Sequence, residues 1–420
     1  MPILRAVPDN FDPTPGGEAA PARFRRVVRG VEVRRRMVRS VVVVLSGSAC
    51  LAGCGGTTAT VDRALLPGAA VPAAARGACA ADKPVRLPGV MYGPSSARSG
   101  PGAAVIASGQ AARVVRAFWA LEERASACDE IAVTDQIEMG PAREFANAVS
   151  RGDRAVHAVS LRTVRPLYSV HVYVPFQTGY PARFLAQVVT TTYTRVDLGN
   201  GGPPPGSPAV EILVFVRSGL GSPWKAAIDT IRTETTYVDA NTVGQNGFEA
   251  PPPHPDWVAP SAVPGMLAHY WTEWLDTGHE PVRDPFVPGP ATTQFGRQLA
   301  ASPAFDLSRG SISRAFYYAD PALDGLYQFA VDGQNLTCFA VRYHLTLTPA
   351  IAGHFLLQDS ARTHYGRLLP AGGYSSIDEG GLHQSCALIP TQGSHRRIII
   401  IGMQGGYASE SGQTVGSTPL

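Results

Sequence analysis

Ser222-Pro223-Trp224-Lys225 has the S-x-x-K spacing at which a lysine can activate a serine nucleophile. That chemistry needs the serine at a helix start, so that the lysine stands one turn above it. Here the residues lie in a Gly- and Pro-containing turn ahead of a strand, without an S-D-N or K-T-G partner, so the match reads as coincidence. The chain carries no G-x-S-x-G elbow and no phosphate-binding G-K-[ST] loop. Its ten histidines form no H-E-x-x-H or H-x-H pair. His344, His354 and His364 recur at a spacing of ten, which matches no helix face, so they read as separate hairpin or loop positions and not as a metal site. Phe118, Trp119, Tyr270, Trp271 and Trp274 could line apolar pockets, although core packing is the commoner use of such side chains.

The six cysteines divide by position. Residues 1–53 hold nine of the 36 basic residues and four of the 33 acidic ones, leaving 27 against 29 from residue 54 onward. The remainder is slightly acidic, without a basic stripe to attract phosphate backbones, so nucleic-acid binding is not expected. The basic segment runs into Ser40-Val-Val-Val-Val-Leu45, then small residues and Leu51-Ala52-Gly53-Cys54. This order reads as an export signal, and its apolar run is too short to span a bilayer. Leu51-Ala52-Gly53-Cys54 resembles the bacterial lipobox, which implies cleavage before Cys54, acylation of its thiol, and anchoring at the outer face of the cytoplasmic membrane. Residues 1–36 are excluded from the fold, and a start at Met37 would give a more ordinary signal. Cys50 falls in the removed signal, leaving Cys79, Cys128, Cys338 and Cys386. An even number in an exported chain reads as two disulfides. Of three connectivities, sequence order favours Cys79–Cys128 and Cys338–Cys386.

Stepping outward, residues 54–108 read as a tether becoming ordered near Cys79. Val114, Val115, Phe118, Leu121 and Ala125 form a helical stripe within 110–127, and a second helix is predicted from Pro141 to Ser150. The period then changes. Val170, Val172 and Val174 alternate with His171 and Tyr173, Arg183–Tyr193 is a second strand, and Val210–Val216 and Trp224–Thr236 form a hairpin across a Gly-rich loop. A first domain over 109–249 is thus followed by a Pro-rich linker at 250–258, a second domain over 259–410 and a tail at 411–420. The second half repeats the order. Ala117-Phe118-Trp119 aligns with His269-Tyr270-Trp271, and Gly140-Pro141-Ala142 with Gly289-Pro290-Ala291, followed by strands at Leu326–Val331, Cys338–Leu347 and Arg397–Met403. Asp332-Gly333 marks a turn between the first two. The expectation is α+β: two tandem, duplicated domains, each with N-terminal helices packed on a curved antiparallel sheet.

This helix, Gly-Pro-Ala, helix, meander order is similar to nuclear-transport-factor-2-like domains, whose curved sheet folds round a helix to leave a cone-shaped cavity. Ser222-Pro-Trp-Lys-Ala-Ala-Ile228 looks like a late strand of such a sheet. With the lipobox, the chain resembles an actinobacterial lipoprotein family built from these domains. Enzymes of that fold often place an Asp or His in the cavity as a general base, which points to Asp229, and less to His171, whose valine neighbours claim the core side. Fold alone does not assign function. The sequence favours a non-enzymatic, membrane-anchored protein binding a small apolar ligand or an envelope protein, without a cofactor. A hydrolase or isomerase using Asp229, and a scaffold dimerising through its sheet faces, are the alternatives.

Overall fold

A computed structural model describes residues 83–93, 105–155, 165–175, 177, 179–191, 208–231, 258–282, 285–308, 311–331, 334–351, 355–357, 368–370, 372–390 and 397–414. The export signal, Cys54, Cys79, His354, His364 and the turn at Asp332-Gly333 lie outside these residues. All described residues fall within one compact unit, Leu45–Leu420. No described helix is long and apolar enough to cross a membrane.

Helix α1 (Ser108–Cys128) buries Val114, Val115, Phe118 and Ala125, as the stripe predicts. It ends at Asp129 in the left-handed conformation, which an Asp tolerates at a helix C-terminus. A short helix α2 (Ile131–Ile137), too brief to show a period, precedes α3 (Gly140–Ala155). Four antiparallel strands follow in sequence order: β1 (Ser169–Tyr173), β2 (Ala182–Thr191), β3 (Pro208–Arg217) and β4 (Lys225–Ile231). Their even positions on β1 and β2 and odd positions on β3 face α1 and α2, with Phe118 edge-to-face on Phe215 at 5.2 Å.

The second half begins with α4 (Val263–Thr277) and α5 (Phe295–Ser308), the latter entered through a π-turn at Pro290–Gln294. Then come β5 (Ser311–Tyr318), α6 (Pro321–Asp324), β6 (Tyr327–Val331), β7 (Gln334–Pro349), β8 (Phe355–Leu357), β9 (Gly372–Pro390) and β10 (Ile399–Thr414). The six-stranded antiparallel sheet runs β10-β9-β7-β5, with β6 on β7 and β8 on β9. Strand β10 continues to Thr414, into the stretch read as a tail. Strand β9 was not foreseen because glycines ordinarily weaken strands. Here a glycine makes room for a ring: a Cβ on Gly381 would collide with Tyr343, as one on Gly412 of the neighbouring β10 would with Tyr374 of β9.

Both halves are therefore helices followed by an antiparallel sheet, and the two sheets meet face to face. Tyr173, Leu185, Ile212, Val214 and Ile228 of the first sheet share a core with Phe329, Leu336, Leu388, Ile401 and the cystine of the second. Each sheet thus has a helix-covered outer face and an apolar inner face. Tyr173 turns away from the valine side of β1, as the alternation requires, and is buried against the other sheet. The second sheet is the longer, and α3 covers part of the overhang: Arg342 on β7 bridges Glu144 on α3 and Asp324 on α6, each at 2.7 Å.

Candidate functional site

The apolar stripe of α1 ends in two acids. Glu122 lies one turn beyond Phe118, and with Glu123 it is buried against the sheet. Glu211 lies two residues before Leu213 on β3, so it too faces α1, at 2% exposure. Arg165, just ahead of β1, ties them together. Its Nε donates to Glu123 Oε1 at 2.8 Å, one Nη to Glu122 Oε2 at 3.0 Å, and the other to Glu211 Oε1. Its main-chain N–H also donates to Glu123 at 2.6 Å. The guanidinium sits 4.5 Å over the Trp119 ring, whose indole N–H donates to the Arg165 carbonyl at 3.1 Å.

Asp229 joins this cluster because of a bulge. Val214 pairs with Ile228 and Phe215 with Ala226, leaving Ala227 as an extra residue. Simple alternation from Ala226, on the helix side, would send Asp229 to the opposite face. The bulge turns it back, opposite Leu213 and beneath α1, as bulges beside functional sites do. Glu138, directly after α2, bridges to Ala226 on the same strand and is 3% exposed. Asp229 Oδ1, Glu138 Oε2 and Glu211 Oε2 are sealed from solvent without a hydrogen-bond partner among the described residues.

Burial drives the ionisation of the cluster. It pushes the Glu138 carboxyl well above the usual carboxylate range, and the charges of Glu122 and Asp135 push it further. Asp229 is raised well above its ordinary value by burial, then Glu211 and Glu122, against the pull of Arg165. Glu211 is raised by burial against the same pull, and Glu123 is pushed up to about 8 by burial and by Glu122. Burial thus favours the neutral, protonated form of Glu138 and of Asp229. Such a group can donate a hydrogen bond, or release its proton to become an acceptor. Perturbed carboxyls of this kind gather at functional sites.

Of the residues singled out in the sequence, Asp229 is the acid placed in this cluster, and Trp119 flanks it beneath the Arg165 guanidinium. Glu122, Glu123, Glu138, Glu211 and Arg165 were missed, although two carried a signal: Glu122 continues an apolar stripe, and Glu211 occupies an apolar register of a Val-rich strand. His171 lies on the face of β1 toward the second sheet, with Tyr173. Phe118 and Trp119 are core residues of the first half. Tyr270, Trp271 and Trp274 are core residues of the second, around Phe286 and Phe295. Ser222 lies in a turn and Lys225 on β4, with its ammonium donating to the Asp135 carbonyl at 2.6 Å, so the two form no catalytic pair. Cys338 and Cys386 form a disulfide. Cys128 is also disulfide-bonded. No group of His, Cys, Asp or Glu among the described residues is arranged to hold a metal.

The outer face of the second sheet carries a different cluster. His383 on β9 is ringed by Phe295 at 5.0 Å, Trp271 at 5.3 Å, Tyr343 at 5.6 Å and Tyr317 at 6.0 Å. Tyr343 donates to Glu379 at 2.6 Å. Burial lowers His383 to about 4, so the imidazole is neutral and fills the aromatic box itself.

Residues 103–411 match the profile described as "Domain of unknown function (DUF8094)". The chain belongs to this family. The DUF8094 stretch opens shortly before α1 and closes within β10, so one family domain takes in both sheets and the carboxyl cluster. No curated protein and no solved structure matches the chain.

Proposed function

We propose that this is an exported lipoprotein, tethered through Cys54 to the outer face of the cytoplasmic membrane, that binds a small molecule between α1 and the first sheet without chemically changing it. Leu51-Ala52-Gly53-Cys54 and the basic, apolar and small-residue order before it support export and anchoring. The binding reading rests on one observation: buried carboxyl oxygens on Glu138, Glu211 and Asp229 have no protein partner among the described residues. Leaving such groups unmet costs about 1–3 kcal/mol each, a cost that a bound molecule offsets. The apolar-ligand expectation is narrowed by this polar lining, because the aromatic candidates are spent on the cores. A tether would keep the site near the membrane and raise its effective concentration for local ligands.

Duplication accounts for the architecture. The aligned Phe118-Trp119 and Tyr270-Trp271 blocks fall on α1 and α4, and the Gly-Pro-Ala blocks open α3 and the turn into α5. In this reading the halves are two related domains packed through their sheets, so the chain's own second half covers the face that a scaffold dimer would have used.

Asp229 favours one second reading. A buried carboxyl with raised proton affinity is suited to act as a general base, and the protein would then be a hydrolase or isomerase.

Native mass spectrometry of the mature protein from the envelope tests the proposal. The expected result is a small co-purifying mass, released on denaturation and lost in the Asp229→Asn variant. A bare protein mass from fresh envelope, in both proteins, would sink it. Turnover of that molecule by the wild type alone would move the assignment to the enzyme.

A further inference from the structure

We propose that the open end of the second sheet's inner face is a glycan-binding platform, which stacks the pyranose rings of a neutral, flat oligosaccharide on Phe316, Tyr318 and His344. The site is separate from the carboxyl cluster and does not depend on it.

The inner face changes character along its strands. Leu336 and Cys338 on β7, with Cys386 and Leu388 on β9, are apolar and share the core with the first sheet. Arg342, held by Glu144 and Asp324, ends that stretch. Alternation keeps His344 and Thr346 on the same face, with Phe316 and Arg314 opposite them on β5 and Asp378 on β9. These residues are open to water. Phe316 is 50% exposed and Tyr318 41%, and the side chains of His344 and Asp378 are 43% and 35% exposed. One such ring alone would be ordinary surface; neighbouring rings so exposed mark a contact surface.

The rings form a continuous shelf. Phe316 lies 5.8 Å from Tyr318 along β5 and 5.5 Å from His344 across the strands, with planes tilted by 36° and 32°. A pyranose presents an apolar C–H face to such a shelf, and in an extended chain successive sugars meet successive rings. Polar groups border the shelf, as a sugar's hydroxyl rim requires. The Thr346 hydroxyl donates to Asp378 Oδ1 at 2.7 Å, and His344 Nε2 stands 4.0 Å from the same oxygen. Asp378 Oδ2 takes no hydrogen bond from a described residue, which leaves it to accept from a sugar hydroxyl. Arg314, exposed between Ile312 and Phe316 on this face, supplies donors.

Charge selects the partner. Arg314 and Asp378 balance, and Arg342 is matched by Glu144 and Asp324. The face thus has no excess of positive charge to draw a nucleic acid or an anionic membrane. A protein partner would need an apolar centre depleted of charge, whereas Arg314, Arg342 and Asp378 stand among these rings. A ligand with apolar ring faces and a neutral rim of hydroxyls, donors and acceptors at once, meets both kinds of group.

Calorimetric titration of the mature chain with cellohexaose and with chitohexaose tests this, with maltohexaose, whose chain curves away from a flat shelf, as the control. One of the flat hexasaccharides should bind one-to-one. Phe316→Ala and Tyr318→Ala should each weaken it by about tenfold, the scale of one lost stacking contact, and Asp378→Ala should weaken it as well. Thermal midpoints should stay unchanged in the ring variants, because these side chains are already half in water. Asp229→Asn should bind the sugar as the wild type does. If neither flat sugar binds, if maltohexaose binds as well as they do, or if the ring substitutions leave the affinity unchanged, the glycan platform is wrong. Loss of the sugar in Asp229→Asn would move it to the carboxyl cluster and overturn the platform. If the ring substitutions instead abolish self-association in sedimentation, or binding to phosphatidylglycerol vesicles, the face belongs to a second copy or to the bilayer and not to a glycan.

Discussion

The main-chain N–H of Asp229, on the edge strand of the first sheet, donates at 2.9 Å to the side-chain oxygen of Gln384 on the second sheet, 155 residues later. Gln384 is fully buried. The bond fastens the strand that carries the candidate acid to the opposite half of the molecule. Gln384→Leu keeps the volume and leaves the Asp229 N–H unmet. Its unfolding free energy in urea should fall by about 1–3 kcal/mol; an unchanged midpoint and slope would show that the sheets do not depend on this bond.

Cys338 and Cys386 lie directly opposite each other on β7 and β9, and both are fully buried. Their bridge closes a loop with a sequence separation of 48. In the chain-entropy picture a loop of that length contributes about 4 kcal/mol. The Cys338→Ala/Cys386→Ala double variant should lose stability of that order, read by denaturant unfolding under non-reducing conditions. Peptide mapping of the wild type should recover the Cys338–Cys386 pair.

His383 makes the protein sensitive to acid. Its folded value of about 4 lies below the ordinary 6.5. As pH falls from 6.5 to 4 the unfolded chain takes up a proton that the folded one refuses, so stability is lost across that window, by at most about 3 kcal/mol. His383→Leu removes this contribution. Its thermal midpoint should fall less than that of the wild type between pH 7 and pH 4; parallel curves would show that the box tolerates the charged imidazole.

The carboxyl cluster works in the opposite direction. Glu138 is held well above its ordinary 4.5 by burial first. Above pH 4.5 the unfolded chain releases a proton that the folded one keeps, so stability falls as pH rises. Glu138→Gln should match the wild type near pH 4 and exceed it by about 1–3 kcal/mol at pH 8. A variant less stable than the wild type at pH 8 would mean that the acid is met by a partner.

Cys54 carries the anchoring reading. With Cys54→Ala, metabolic labelling with palmitate should disappear, and the protein should leave the membrane fraction. Retention of both label and membrane association would place the anchor elsewhere.

The sequence by itself determined α1, α3 and most of the strands of the first half, because their apolar side chains repeat at the period of the element that buries them. Phe118 four residues from Val114, and Val170, Val172 and Val174 in alternation, are local patterns that need no knowledge of the partner surface. Cysteine order and the division of the chain into halves likewise favoured, among three connectivities, the Cys338–Cys386 pair that the structure contains. The tertiary structure decided what local pattern cannot contain. In strand β9 the Tyr343 ring lies where a Cβ on Gly381 would be, a contact between residues 38 apart in number that makes glycine an asset. Asp229 reaches the acids beneath α1 only because β4 bulges at Ala227, a mismatch of length between two paired strands that neither strand records alone. Once turned inward, its chemistry is set by burial first and then by Glu211, Glu122, Arg165 and Glu138, which the fold brings together from separate elements. Periodicity encodes which face a residue shows; charge clusters depend on distances in space, and those follow only from how the chain closes on itself.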